Sequence, residues 1–172
     1  MKWAAAVALI LLALPACREV DDTIYMHYLD VPRSGWDMSH PMNFEAFPAD
    51  SSYIGTPTRM ELLVRYLESQ PMAEIPVLAS VEDENGDIIS DTLRLKLFGP
   101  QGRPLDPPKF GIAEHVVPLL NHYRLRPGLS VNLIPLAPAN ASKGLLNIGV
   151  RLAKDADRSI PPKSSLPTKH KD

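Results

Sequence analysis

Apolar and polar residues alternate with a period of two through most of this chain, in short runs. The clearest run is Arg59–Leu67. Met60, Leu62, Val64 and Tyr66 fall on one side, with Arg59, Glu61 and Arg65 among the opposite set. Successive side chains of a strand point to opposite faces, so this spacing predicts a half-buried strand. Met60, Leu63, Val64 and Leu67 also fit a helical period, but strand-like runs on both sides favour the extended reading. Ile24–Leu29 is rich in β-prone residues, and Met42–Phe47 alternates until Pro48 ends it. Ile75–Glu82 and Asp87–Leu97 follow, the second setting Leu93, Leu95 and Leu97 against Thr92, Arg94 and Lys96. Between them, Asn85-Gly86 predicts a two-residue type I′ hairpin turn, because both residues tolerate positive φ. Ala113–Leu125 reads as a strand giving way to an irregular turn at Pro118. Leu129, Val131 and Leu133 alternate with Ser130 and Asn132, and Leu145–Leu152 is the last run.

Turn signals separate these runs. Gly35-Trp36 and Arg126-Pro127-Gly128 mark turns, while Gly99–Phe110 and Ala137–Gly144 read as loops. The 18 prolines argue against long helices. About eight short strands at such spacing predict an all-β fold, an antiparallel β-sandwich over residues 23–154. No internal repeat is present. From Asp155 to Asp172, Pro, Ser and Lys dominate and Ile160 and Leu166 stand isolated. That segment is expected to be a disordered tail, since it has too little apolar surface to bury.

The first residues follow another logic. Lys2 precedes an apolar run from Trp3 to Leu14, and Leu14-Pro15-Ala16-Cys17 closes it. A positive start, an apolar core and a small residue before the cut make a secretory signal. The run is short of the ~20 residues that span a bilayer. Cys17 is the only cysteine of the chain. The pattern reads as a lipoprotein signal over residues 1–16, with Cys17 as the acylated first residue of the mature chain. Residues 17–22 would then form a tether. Each buried acyl methylene contributes ~0.8 kcal/mol, so more than one chain holds the protein in the bilayer. One cysteine also precludes an intramolecular disulfide, leaving stability to packing. The 156 remaining residues suffice for one domain with a core. With 18 Lys+Arg against 20 Asp+Glu, the charge gives no support for nucleic-acid binding.

A series of motifs runs between Tyr25 and Lys154: Gly35-Trp36 followed by Pro41 and Phe44, the long strand ending in Arg65, and Pro76. It continues through Asn85-Gly86, Asp91-Thr92-Leu93, Gly102 and Pro127-Gly128, and closes on Asn147-Ile148-Gly149-Val150-Arg151-Leu152. In this order and spacing the chain resembles the GldH gliding-motility lipoproteins of the Bacteroidetes. The resemblance implies an outer-membrane lipoprotein, anchored in membrane lipid through Cys17, with protein partners in the gliding or associated secretion apparatus. Asp22-Thr23-Ile24 and Asp91-Thr92-Leu93 are similar to the O-glycosylation triplet of that phylum. Thr23, on the tether, is the better candidate if Thr92 points inward.

No residue set stands out for catalysis, a cofactor or a metal. Gly128-Leu129-Ser130-Val131-Asn132 lacks the second glycine of a nucleophile elbow, and its alternation makes Ser130 a face residue. His27, His40, His115, His122 and His170 form no short pair of the kind zinc needs. Asp83-Glu84-Asn85-Gly86-Asp87 has alternating oxygen ligands, yet its glycine is misplaced for a calcium loop and the twelfth-position glutamate is absent. Trp36, Tyr25, Tyr28 and Phe44 could line a sugar-binding platform, which makes a glycan-binding lipoprotein the alternative function. Core packing is the plainer use for them in a chain with 6% aromatics. Asn140-Ala141-Ser142 fits an N-glycosylation triplet by chance.

Overall fold

The computed structural model describes residues 22–47 and 51–155. The leader, Cys17, Pro48 and the tail from residue 156 lie outside the described residues. Eight strands run in chain order: β1 (Thr23–Asp30), β2 (Met42–Phe47), β3 (Pro57–Leu67), β4 (Ile75–Glu82), β5 (Ile88–Leu95), β6 (Ile112–Arg124), β7 (Leu129–Pro135) and β8 (Leu145–Lys154). They form two four-stranded antiparallel sheets, ordered β1-β8-β3-β6 and β2-β7-β4-β5. The expected all-β sandwich is the fold.

The alternation at Arg59–Leu67 is that of a strand. Met60, Leu62, Val64 and Tyr66 are fully buried and face Val77, Val131 and Leu133 of the second sheet in one core. Fully burying a large aliphatic side chain is worth roughly 1.5–3 kcal/mol, so this stripe dominates the choice of register. Tyr66 satisfies its hydroxyl by donating to the Leu97 carbonyl at 2.9 Å. Leu63 sits on the opposite, outer face of β3 and is nevertheless buried.

Three local expectations are corrected. Pro118 does not end its strand: it lies inside β6, which runs 13 residues from Ile112 to Arg124. It lies at a sheet edge, where a missing N–H costs no ladder bond, and pairing with β3 shifts register on either side of Met60. His122, within that irregular stretch, has φ 54°. Asn85-Gly86 does not form a type I′ turn. The Gly86 N–H donates to the Asp83 carbonyl and the Asp83 N–H to that of Asp87, which makes a three-residue loop with only Gly86 at positive φ. Asp83 explains the difference, since its carboxylate accepts from the N–H groups of Asn85 and Asp87 and holds the wider loop. A type I′ turn occurs instead at Phe110-Gly111, with φ 52° and 82° and with Lys109 and Ile112 exchanging both backbone bonds.

Trp36 fixes the β1–β2 connection against the β7–β8 connection. Its indole is fully buried and donates to the His40 carbonyl at 2.8 Å. Ser142, also buried, accepts from the Trp36 N–H at 2.6 Å and donates toward the carbonyls of Trp36 and Ala139. Gly35 precedes it at φ 101°, and a Cβ there would lie 1.8 Å from the Ala139 carbonyl oxygen. The only other tryptophan, Trp3, lies outside the described residues. In protein prepared without residues 1–16, Trp36 reports the fold: its emission is expected to be blue-shifted and to move red on urea unfolding. Gly35→Ala should lower the unfolding free energy read from that transition by more than the ~1 kcal/mol typical of a point substitution; an unchanged value would show that the two loops do not pack this way.

Candidate functional site

The outer face of sheet β1-β8-β3-β6 carries the densest set of interacting polar side chains. Alternation places Tyr28, Gly149, Leu63 and Val116 in one row across all four strands, and Asp30, Asn147, Arg65 and Glu114 in the next. Gly149 has no side chain, so the Tyr28 ring lies flat over it: a Cβ at Gly149 would stand 2.6 Å from the Tyr28 Cδ1. Crossing β8 in this way, Tyr28 covers the Leu63 row and donates its hydroxyl to Glu114 at 2.8 Å. Arg65 donates to the same carboxylate oxygen at 2.6 Å, and its guanidinium lies 4.1 Å from the centre of the Tyr28 ring. Burial, then the bond and charge of Glu114, push the Tyr28 phenol up to about 12.

A second chain of contacts runs along the same face. Glu61 accepts from Arg59 at 3.3 Å and from Arg151 at 2.7 Å. Arg59 also donates to the Asp22 carboxylate and to the Lys154 carbonyl. Asp22 in turn accepts from the Lys154 N–H at 2.8 Å through its own carbonyl. The network therefore ties the point where the chain enters the fold to the point where it leaves. Exposed ion pairs are worth ~0–1 kcal/mol each, and a cation–π contact a similar amount. Their joint effect is to seal Leu63 beneath a crossing aromatic ring. Asp22, Glu61 and Glu114 each face an arginine, which exchanges no proton at working pH, and Asp30 accepts from the Asn147 amide. The arrangement suits holding strands together rather than acid–base work.

The residues singled out by sequence are scattered. Thr23 opens β1 and is half-buried, paired with Ala153; Thr92 is exposed on the outer side of β5, so the condition that set it aside is not met. Ser130 is a half-buried residue opposite Glu82. His115 meets Asp106 at 2.6 Å and His122 lies 2.6 Å from Asp155, far apart on β6. His40 contacts both Ser39 and Asp37, but through the same Nδ1, so it does not bridge a hydroxyl to a carboxylate as a triad requires. No group of three potential metal ligands occurs among the described residues. At the Asp83–Asp87 hairpin the cation is internal: Arg126 donates to Asp83 at 2.6 Å and to Asp87 at 2.8 Å. Trp36 and Phe44 are core residues, while Tyr28 is on the other face of its sheet, so the four aromatics make no common platform. Ser142 of the chance triplet serves Trp36.

The model of the family described as GldH lipoprotein matches residues 23–128. The chain belongs to the GldH lipoprotein family. No curated protein sequence matches the chain. The match begins with β1 and ends after β6; Gly149 and Arg151, which also carried the resemblance, lie beyond it. Within it, Tyr28, Arg65 and Glu114 come from three separate strands. Sequence reading missed this set. The signal available was the charged outer set of β3, which showed a polar face but not the strands beside it.

Two outcomes test this face and the hairpin. Gly149→Ala must lift the Tyr28 ring and should cost about 1–3 kcal/mol in urea unfolding. Tyr28→Ala combined with Gly149→Ala should cost less than the two singles added together, because both break the same contact. The Arg126 guanidinium, helped by two backbone N–H groups, holds the Asp83 carboxyl below its ordinary value. A depressed carboxyl contributes stability that is complete above its unfolded pKa and disappears as pH falls through the folded one. The wild-type melting temperature should thus fall below about pH 4, and Asp83→Asn should flatten that acid limb while lowering stability at neutral pH.

Proposed function

We propose that this protein is an outer-membrane lipoprotein of the gliding-motility type, held by acyl chains such as palmitate on Cys17. On this reading it acts without catalysis, by contact with protein partners of the gliding or associated secretion apparatus. Membership of the GldH lipoprotein family is the observation that carries the reading. The geometry supports it in one respect. Asp22, five residues after Cys17, is gripped by Arg59 and by the backbone of Lys154. Five extended residues reach at most about 17 Å, so the tether would keep the sandwich close to the bilayer. Confinement of that kind raises the effective concentration of a domain for neighbours on the same surface. Thr23, beside the tether, stands as the glycan acceptor of this reading, and Thr92 is the better exposed of the two triplets.

Labelling cells with an alkyne fatty acid tests the anchor. Wild type should take the label, and Cys17→Ala should lose it and leave the envelope fraction. Protease treatment of intact cells then reads the side of the outer membrane on which the domain sits. After mild detergent extraction, wild type should migrate in an assembly well above the 19.0 kDa of the chain. A labelled protein that migrates alone would remove the protein-contact part of the reading.

A further inference from the structure

A strand at the edge of a sheet leaves half its backbone groups unpaired, and proteins interrupt such edges with bulges, proline or charge. Three of the four edges here are interrupted in that way. β1 shifts register between Thr23 and Tyr25, β2 between Phe44 and Phe47, and β6 carries Pro118 beside two shifts. β5 pairs one-to-one with β4 through all eight residues and contains no proline. The Pro76 carbonyl accepts from Leu136 on the β7 side, so the odd residues of β4 point to β5 and bond its odd residues. Ile88, Ser90, Thr92 and Arg94 therefore aim their N–H and C=O groups off the sheet. The upper half is partly closed from within: the Asp91 carboxylate takes the Thr92 N–H at 2.7 Å, and the Arg94 carbonyl accepts from Lys96 at 3.0 Å. Ile88 and Ser90 keep both groups open among the described residues. On this stretch Ile88 and Ile89 are 60% and 47% exposed.

We propose that the lower half of β5 pairs antiparallel with the same stretch of a second copy of this chain, about a two-fold axis at Ile89. The inference rests on the protein-contact reading above and names one partner. Self-pairing follows from which groups are open. In that register Ile88 of each copy faces Ser90 of the other, and four hydrogen bonds satisfy every group that these two residues leave open. The next outward residue, Thr92, falls opposite Gly86, outside the strand, and its N–H is the one already capped. Ile89 meets its own counterpart across the axis, which suits an apolar residue and would penalise a charged one. Centring the axis on Ile88 would bond that residue alone. Centring it on Ser90 would set Ile89 against Asp91, and centring it on Asp91 would oppose two carboxylates. The proposed register has one cost: Asp87 faces Asp91 of the second copy, with the Arg126 guanidinium 2.8 Å from Asp87. The β4–β5 hairpin and the tether share one end of the domain, since Glu84 bonds Pro127, Leu125 bonds Thr56, and Asp155 bonds Pro57. Both tethers thus lie toward the axis while the far ends point apart, so one bilayer takes both anchors. The contact covers less than the roughly 1,600 Å² of a stable complex; confinement to a membrane supplies the concentration it needs.

Cysteine cross-linking of the full-length protein in native membranes reads the register. The two residues at position 89 would form a non-hydrogen-bonded pair with Cα atoms about 4.5 Å apart, within disulfide range. The two at position 88 would be offset along the strands to about 8 Å, beyond that range. Under mild oxidation Ile89→Cys should give a disulfide-linked dimer in about tenfold higher yield than Ile88→Cys, although Ile88 is the more exposed. Wild type, whose one cysteine is Cys17, sets the background. Ser90→Pro removes an N–H that the β4 ladder does not use. Added to Ile89→Cys, it should abolish the cross-link and leave urea unfolding nearly unchanged. Asp91→Asn keeps an oxygen for the Thr92 N–H, removes the like charge and should raise the cross-linked fraction about twofold. The pairing is overturned by equal yields at 88 and 89, by a cross-link from 89 to another protein only, by a yield that Ser90→Pro leaves intact, or by one that Asp91→Asn fails to raise. If position 89 gives no cross-link while detergent-extracted wild type still migrates as an assembly, this pairing falls alone. If wild type also migrates alone, the protein-contact reading falls with it.

Discussion

The first sheet depends on the insertion of its last strand. β8 lies between β1 and β3, and β1 has no other neighbour in that sheet. Until Leu145–Lys154 arrives, β1 has no ladder partner and Tyr28 has no glycine to cross. Pairing across more than a hundred residues brings a large loop-closure cost before any contact repays it, which makes folding slow relative to helical domains of this size. Gly149 is the local condition for that closure. A side chain there would keep Tyr28 from reaching Glu114 and would uncover Leu63.

The same dependence governs the second sheet. β2 pairs only with β7, as β1 pairs only with β8. The family match over residues 23–128 includes β1 and β2 but ends before either partner strand. A fragment cut at that boundary would leave two strands with unmatched N–H and C=O groups. The physical domain therefore runs at least to Lys154, whatever the span over which sequence likeness is recognisable.

Alternation made β3, β4 and β7 legible, because each buries one face and a period of two survives in its residues. The outer burial of Leu63 was not legible, since it depends on Gly149 and Tyr28 from strands far away in sequence. The same is true of Ser142, whose hydroxyl serves Trp36 across 106 positions. Turn chemistry misled in one place and was silent in another. Asn85-Gly86 has type I′ composition, but the Asp83 carboxylate takes the N–H groups of Asn85 and Asp87. Phe110-Gly111 adopts that turn with a residue that local preference disfavours. The buried state of Trp36 and Phe44, which decides against an aromatic platform, was open in the sequence because aromatic residues serve cores and surfaces alike.

The chain enters the fold at Asp22 and leaves it at Lys154 with a single backbone hydrogen bond between the two points. Mechanical load gives this adjacency a meaning. A pull at residue 22 that is resisted at the far end of the domain is directed along β1, which is antiparallel to β8 over Thr23–Asp30. Force along the strands loads the ladder in shear, so its hydrogen bonds must yield together. Force across them would open the bonds one at a time, like a zipper. Loaded in that direction, the β1–β8 ladder adds a resistance to drag that the core alone does not provide.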